Sequence, residues 1–212
     1  MEIGRIEEVR VKITAIVLAG GKSLRLGRNK ALEPFLGRSL IEHVVDQLRP
    51  LAAQLLIVTS GEQALPSLDT TEALNDVYPG KGPLGGIYTG LLAARYSHSI
   101  VVACDMPFIN TELLRFMAEL APEFDAVIPR LSQTIIEPLH AVYAKSCLDK
   151  IKTQLDENRL GIHAIFSTLN IRYVKREECL RFDSELKTFI NINNQADLGR
   201  AITLAVKANE IS

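Results

Sequence analysis

The feature that most narrows the fold is an alternation of short, β-branched apolar runs with stretches that have helical apolar spacing. The runs are Ile13 to Leu18, Leu55 to Thr59, Ile100 to Ala103, Ala126 to Pro129 and Phe189 to Ile192. Unbroken apolar character over such lengths marks strands covered on both faces, and the helices between them supply the cover. Leu40, Ile41, Val44, Val45 and Leu48 form one helical stripe, and Leu84, Ile87, Leu91 and Leu92 form another. Asn110 is placed to cap a third helix, with Glu112 in its first turn, Leu113, Leu114, Met117 and Leu120 facing inward, and Pro122 ending it. A final helix is predicted from about Asn194. In the second half, Glu137 to Ala144 reads as a strand, Cys147 to Leu155 as a helix and Ile171 to Lys175 as a further strand. The expected fold is α/β: a three-layer α/β/α, Rossmann-like arrangement with a mostly parallel sheet and some antiparallel pairing in the second half.

A chain of 212 residues suits a single domain spanning 1–212, with residues 1–12 as an extension or an edge strand. The formal net charge of −1 offers no global excess of either sign, so neither nucleic acid nor an anionic membrane is an expected partner. A small polyanion held by local geometry remains compatible with that balance. Cys104, Cys147 and Cys179 form no CxxC pair, which fits a reducing cytoplasm. The apolar stretch Ile13 to Gly21 follows Glu2, Glu7 and Glu8 and is far shorter than a membrane span, so neither export nor insertion is expected.

The first strand leads into Leu18-Ala-Gly-Gly-Lys-Ser-Leu-Arg-Leu-Gly-Arg-Asn-Lys30. Adjacent glycines let backbone N–H groups approach an anion, and Lys22, Arg25, Arg28 and Lys30 add charge that those amides lack. This is not a Walker A loop, because Gly21 and Gly27 enclose five residues and Arg28-Asn29 follows Gly27. Adjacent Gly20 and Gly21 also break the GxGxxG dinucleotide pattern. Taken alone, the same residues could be a tight strand exit beside a solvated basic surface.

The segment resembles, nearly position by position, the LAGGxSxRxGxxK signature of the molybdenum cofactor guanylyltransferase family of nucleotidyltransferases. The resemblance implies that Leu18, Ala19, Gly20 and Gly21 wrap the nucleotide and touch its base, that Lys30 stabilises phosphate charge, and that Arg25 assists. Gly20-Gly21 stands where relatives acting on CTP more often have Ala-Gly, which favours GTP by association. Asn29 departs from the aspartate that many relatives carry before the lysine, which puts in question how Lys30 is held.

Further matches follow in order along the chain. Asp105 ends the apolar run of Val101-Val-Ala-Cys-Asp-Met-Pro-Phe108, where a carboxylate could bind Mg²⁺ or merely open a turn before Pro107. The family resemblance assigns it the magnesium. Asp76, with Gly82 in Gly80-Lys-Gly-Pro-Leu-Gly-Gly86, matches a pattern that implies guanine recognition, although turn chemistry alone would explain these glycines. Ser60 falls where some relatives have a base-contacting asparagine. Glu137, Asn191 and Asn193 resemble family residues on the acceptor side of the cleft. His140 alternates with apolar residues and reads as a structural histidine, and His43, His98 and His163 have no metal-cluster spacing.

The resemblance therefore implies Mg²⁺-dependent transfer of GMP from GTP to a molybdopterin or molybdenum-molybdopterin acceptor, with pyrophosphate released. It leaves room for transient contact with other proteins of cofactor biosynthesis. Two alternatives stay open at this point: a nucleotidyltransferase using CTP or a sugar phosphate, and a GTP-binding protein without turnover.

Overall fold

The strand Thr14–Leu18 (β1) is buried along its whole length, as its apolar run requires. In the computed structural model, which describes residues 12–20, 30–61, 65–66 and 68–210 with side chains as far as 207, β1 lies inside a seven-stranded sheet. Chain order continues through a hairpin of Pro34–Phe35 (β2) and Arg38–Ser39 (β3), helix Leu40–Leu48 (α1), and strands Gln54–Thr59 (β4) and Thr71–Asn75 (β5). Helix Pro83–Ala93 (α2), strand His98–Ala103 (β6), helix Thr111–Leu120 (α3) and strands Ala126–Arg130 (β7) and His140–Ala144 (β8) follow. The chain closes with Leu148–Asp156 (α4), Ile171–Lys175 (β9), the single turn Arg176–Cys179 (α5) and Gln195–Glu210 (α6).

The sheet order is β5-β4-β1-β6-β8-β7-β9. Strands β5, β4, β1 and β6 are parallel, β8 runs antiparallel to both β6 and β7, and β7 pairs in parallel with β9. This is the mostly parallel sheet, with antiparallel pairing in the second half, that the sequence predicts. The register sets Leu18 beside both Val58 and Ala103, so the carboxyl ends of three strands finish at one level.

Alternation along the strands divides the core into two layers. Ala15, Val17, Ile57 and Val102 pack with the α1 residues Ile41, Val44 and Val45 and the α3 residues Leu113 and Met117. Ile16, Leu18, Leu56 and Val101 face the α2 residues Leu84, Ile87 and Leu91, and the same layer takes in Ile151 and Leu155 of α4. Helix α2 comes very close to β1. A Cβ on Gly90 would lie 2.5 Å from Ile16 Cγ2, a contact that only glycine avoids. A third, smaller cluster joins Ile192, Leu198 and Ala201 to Phe35 and Leu40, which docks α6 on the hairpin and the start of α1. Among the described residues, no helix is long and apolar enough to cross a membrane.

Two expectations need correction, and one strand has no counterpart in the sequence reading. Phe189 to Ile192 is not a strand. Leu186 takes a left-handed φ of 53°, a 3₁₀ turn covers Lys187–Phe189, and the Thr188 N–H donates to Asp183 Oδ2 at 2.8 Å. Among the described residues, only Ile192 N–H of this run reaches a neighbouring segment's backbone, donating to Asp105 O at 2.9 Å. The apolar side chains are buried all the same, Phe189 in the first core layer and Ile192 in the small cluster. Glu137 precedes β8 rather than beginning it, because Pro138 offers no N–H and His140 N–H closes a turn onto Glu137 O at 3.2 Å. Finally, β5 was not anticipated, since this edge strand is largely exposed and reads Thr-Glu-Ala-Leu-Asn.

Candidate active site

The level carboxyl ends of β4, β1 and β6 form the floor of the site, the position where parallel α/β sheets bind ligands. Ala19 N–H donates to Val58 O at 2.9 Å and Cys104 N–H to Leu18 O at 3.1 Å, which ties the three strand exits together. A Cβ on Gly20 would stand 3.2 Å from Ser60 Cβ and from Ser60 N, so glycine is what lets the β1 exit run against Ser60. Gly21 and Arg25 lie outside the described residues.

Lys30 opens a 3₁₀ turn and points its ammonium at two distant parts of the chain. It pairs with Asp105 Oδ2 and donates to Asn193 Oδ1 at 2.8 Å. Asp105 lies two residues past the end of β6, and its backbone carbonyl accepts from Ile192 N–H at 2.9 Å, which brings the segment bearing Asn193 alongside. Asn193 N–H donates to Asp197 Oδ2 at 2.9 Å, while Asn194 Oδ1 accepts from Asp197 N–H at 2.9 Å and caps α6. Asn191 is not part of this cluster, since its amide donates to Phe189 O at 3.3 Å.

Asp105 Oδ1 is buried and has no hydrogen-bond partner among the described residues. A carboxylate oxygen in that condition is a hard donor awaiting a cation or a hydrogen-bond donor. The described residues contain no group of three or more His, Cys, Asp or Glu side chains able to hold a metal. Mg²⁺ does not require one, because it accepts one or two carboxylates and completes its shell with water and substrate phosphate. The donor set at Asp105 therefore fits Mg²⁺.

Asp76 and Gly82 form a second group along the same edge. Asp76 N–H donates to Thr59 O at 2.7 Å, continuing the β4–β5 pairing past Asn75 and placing Asp76 level with Ser60. Gly82, at φ 69° and ψ −164°, occupies backbone space that favours glycine, and from there it leads into Pro83 at the start of α2. Glu137 sits in the turn before β8 at the same end of the sheet, next to Leu139, whose carbonyl accepts from Ala103 N–H at 3.0 Å. Burial pushes its carboxyl above the usual glutamate value.

Two neighbours of the cluster carry no charge at neutral pH. Burial pushes the Cys104 thiol up to about 12, so it is no nucleophile. His140 is fully buried, and burial pushes its imidazole down to about 4. Its Nε2 lies 3.2 Å from Thr188 Oγ1, a structural pairing in agreement with the sequence reading. Sequence reasoning missed Thr89, whose hydroxyl meets Asp76. The signal was a polar residue within the apolar sequence of α2, between Ile87 and Leu91.

Comparison with known proteins finds relatives over most of the chain. Residues 15–172 match the model of the MobA-like NTP transferase domain. The chain is 35% identical over 211 residues to a probable molybdenum cofactor guanylyltransferase of Methanosarcina mazei, covering 92% of each chain. It is 32% identical to the molybdenum cofactor guanylyltransferase of Desulfosudis oleivorans, covering 94% of this chain and 98% of that one. The crystal structure of molybdopterin-guanine dinucleotide biosynthesis protein A from Archaeoglobus fulgidus superimposes with a TM-score of 0.78 at 30% identity, over 92% of this chain and all of that one.

Proposed function

Because the chain belongs to the family of MobA-like NTP transferase domains and is a nucleotidyltransferase, we propose that it transfers GMP from GTP to molybdopterin and releases pyrophosphate. The observation that carries this reading is the meeting of Lys30, Asp105 and Asn193 beside the glycine exit of β1, from positions far apart in sequence. A terminal phosphate oxygen of the acceptor forms a bond to the α-phosphorus of GTP. The bond from that phosphorus to the oxygen bridging to the β-phosphate breaks, and pyrophosphate departs with the electron pair. The attacking oxygen is already anionic, so no strong general base is needed. Catalysis then rests on alignment and on neutralising charge.

The residues divide that work. Leu18, Ala19, Gly20 and Ser60 line the nucleotide side of the crevice, and Asp76 and Gly82 flank it. Lys30 holds a positive charge where phosphate oxygens would lie, and Asn193 keeps its ammonium turned toward the crevice. Asp105 would hold Mg²⁺, which when bound supplies Lewis-acid neutralisation of the phosphates. The turn at Glu137 and the Asn193 segment frame the opposite side, where the acceptor would enter.

The direct test is pyrophosphate release from GTP and molybdopterin with Mg²⁺, run against CTP and UTP. GTP should be strongly preferred, chelation of the metal should abolish release, and Asp105→Ala should remove activity while the protein stays folded. Lys30→Ala should lower turnover by roughly 10²-fold or more. Nucleotide binding without any pyrophosphate release would overturn the reading, as would Asp105→Ala activity within a few-fold of wild type.

A further inference from the structure

Thr89, on α2, is turned toward the segment that follows β5 and is only 4% exposed. Its hydroxyl donates to Asp76 Oδ1 at 2.7 Å, has Gly85 O within 3.0 Å, and accepts from Val77 N–H at 3.0 Å. Tyr78 N–H donates to the same Oδ1 at 3.0 Å. One oxygen of the Asp76 carboxylate is thus engaged by two donors of the protein itself. The other, Oδ2, stands 3.0 Å from the place a Cβ would occupy on Gly85, so the carboxylate lies against the first turn of α2 only because that residue is glycine. A carboxylate on a single methylene can turn about its last bond. The Thr89 hydroxyl, fixed in the helix, selects one orientation.

We propose that Thr89 is a positioning residue for nucleotide selection: it clamps Asp76 through Oδ1 so that Oδ2 alone is presented to the base. This rests on the reading that Asp76 faces the guanine. The chemistry explains why orientation matters. Guanine presents adjacent N–H donors at N1 and N2, which one fixed carboxylate oxygen can accept together. The corresponding edge of cytosine presents two acceptors beside a single amino group, and a clamped carboxylate repels the acceptors. A carboxylate free to rotate would adapt to either base and give up part of that discrimination. Thr89 thereby acts on selectivity without touching the nucleotide.

The test compares Thr89→Val, Thr89→Ser and Asp76→Asn, measuring GTP and CTP affinity by calorimetry with Mg²⁺, steady-state constants and thermal unfolding. Thr89→Val should raise KM for GTP about ten-fold, lower kcat far less, and shrink the GTP-over-CTP preference, as expected for loss of one hydrogen bond to a charged group. Thr89→Ser, which keeps the hydroxyl, should remain within about two-fold of wild type in the same constants. Thr89→Cys, close in volume and a weak donor, serves if the valine protein does not fold, and should behave as valine does. An unchanged GTP-over-CTP ratio in the non-hydroxyl variants, with only thermal stability lowered, would make Thr89 merely structural and overturn the proposal. If Asp76→Asn leaves GTP affinity unchanged, the base-facing reading of Asp76 itself fails, and the proposal fails with it. If Asp76→Asn weakens GTP binding while the Thr89 variants do not, the reading of Asp76 stands and the clamp alone is wrong.

Discussion

Removing the Lys30 ammonium should destabilise the ligand-free protein more than removing the Asp105 carboxylate. The two side chains keep 17% and 15% of their surface exposed, so the pair is neither solvated nor sealed. At an effective dielectric constant of about 20, opposite charges about 4 Å apart attract by about 4 kcal/mol, and much of that is offset by taking both ions out of water. Breaking such a pair from one side costs about 3–5 kcal/mol in the interior and less than about 1 kcal/mol at the surface. For this degree of burial, about 1–3 kcal/mol is expected. The two sides differ because Lys30, once Asp105 is removed, still has Asn193 Oδ1 at 2.8 Å and a long stem that reaches water. Asp105, once Lys30 is removed, has a short side chain whose Oδ1 is already buried without a partner among the described residues. Lys30→Ala should therefore lose about 1–3 kcal/mol, Asp105→Ala less than about 1, and the double variant should resemble Asp105→Ala rather than the sum of the two. Urea unfolding at low salt without nucleotide or divalent metal measures all four proteins. A strictly additive cycle, or a Lys30→Ala protein within about 0.3 kcal/mol of wild type, would refute the reasoning.

Two further outcomes follow from packing and titration. Gly90→Ala should destabilise by about 1–3 kcal/mol although alanine is the better helix former by about 1, because the new methyl meets the fully buried Ile16 at 2.5 Å. In an Ile16→Ala background the same change should become stabilising, and thermal unfolding that fails to show the change of sign would contradict the close approach of α2 to β1. His140, pushed down to about 4 from 6.5, binds a proton in the unfolded chain before it does in the folded one. Stability should therefore be unaffected by this residue above about pH 6.5 and fall by up to roughly 3 kcal/mol as pH drops from there toward 4. His140→Gln should flatten that interval of the stability–pH curve, and an unchanged slope would show that the imidazole is not the titrating group.

Legibility followed how local the causes were. Strands β1, β4, β6 and β9 and the Asn110 cap, which accepts from Leu113 N–H at 2.9 Å, each depend on side chains close in sequence, so apolar runs and capping residues revealed them. The edge strand β5 has little to bury and so shows little apolar pattern; its existence depends on the exposed edge of β4. Phe189 and Ile192 are apolar enough for a strand, but the left-handed Leu186 and the Asp183 carboxylate bend the backbone into a turn. In the site, Lys30 and Asp105 were readable from their motifs, and Asn193 joined them. The use of Thr89 was not readable, since its meaning depends on a loop and a helix folding back so that residues 76 and 89 touch.

The reversed direction of β8 bears on how a scaffold of this kind can diversify. Because β8 runs against β6 and β7, the connection over residues 131–139 emerges at the edge where Asp105 stands; its base is tied back by the Arg130–Ile136 bridge, by Glu137 N–H on Pro129 O and by Ala103 N–H on Leu139 O, which leaves residues 131–135 as a projecting tip. A link of that sort can gain or lose residues without shifting the ladder on either side. If the proposed function holds, this is the wall that would face the acceptor, and it can be recut for a different molecular shape while β4, β1 and β6 keep their register.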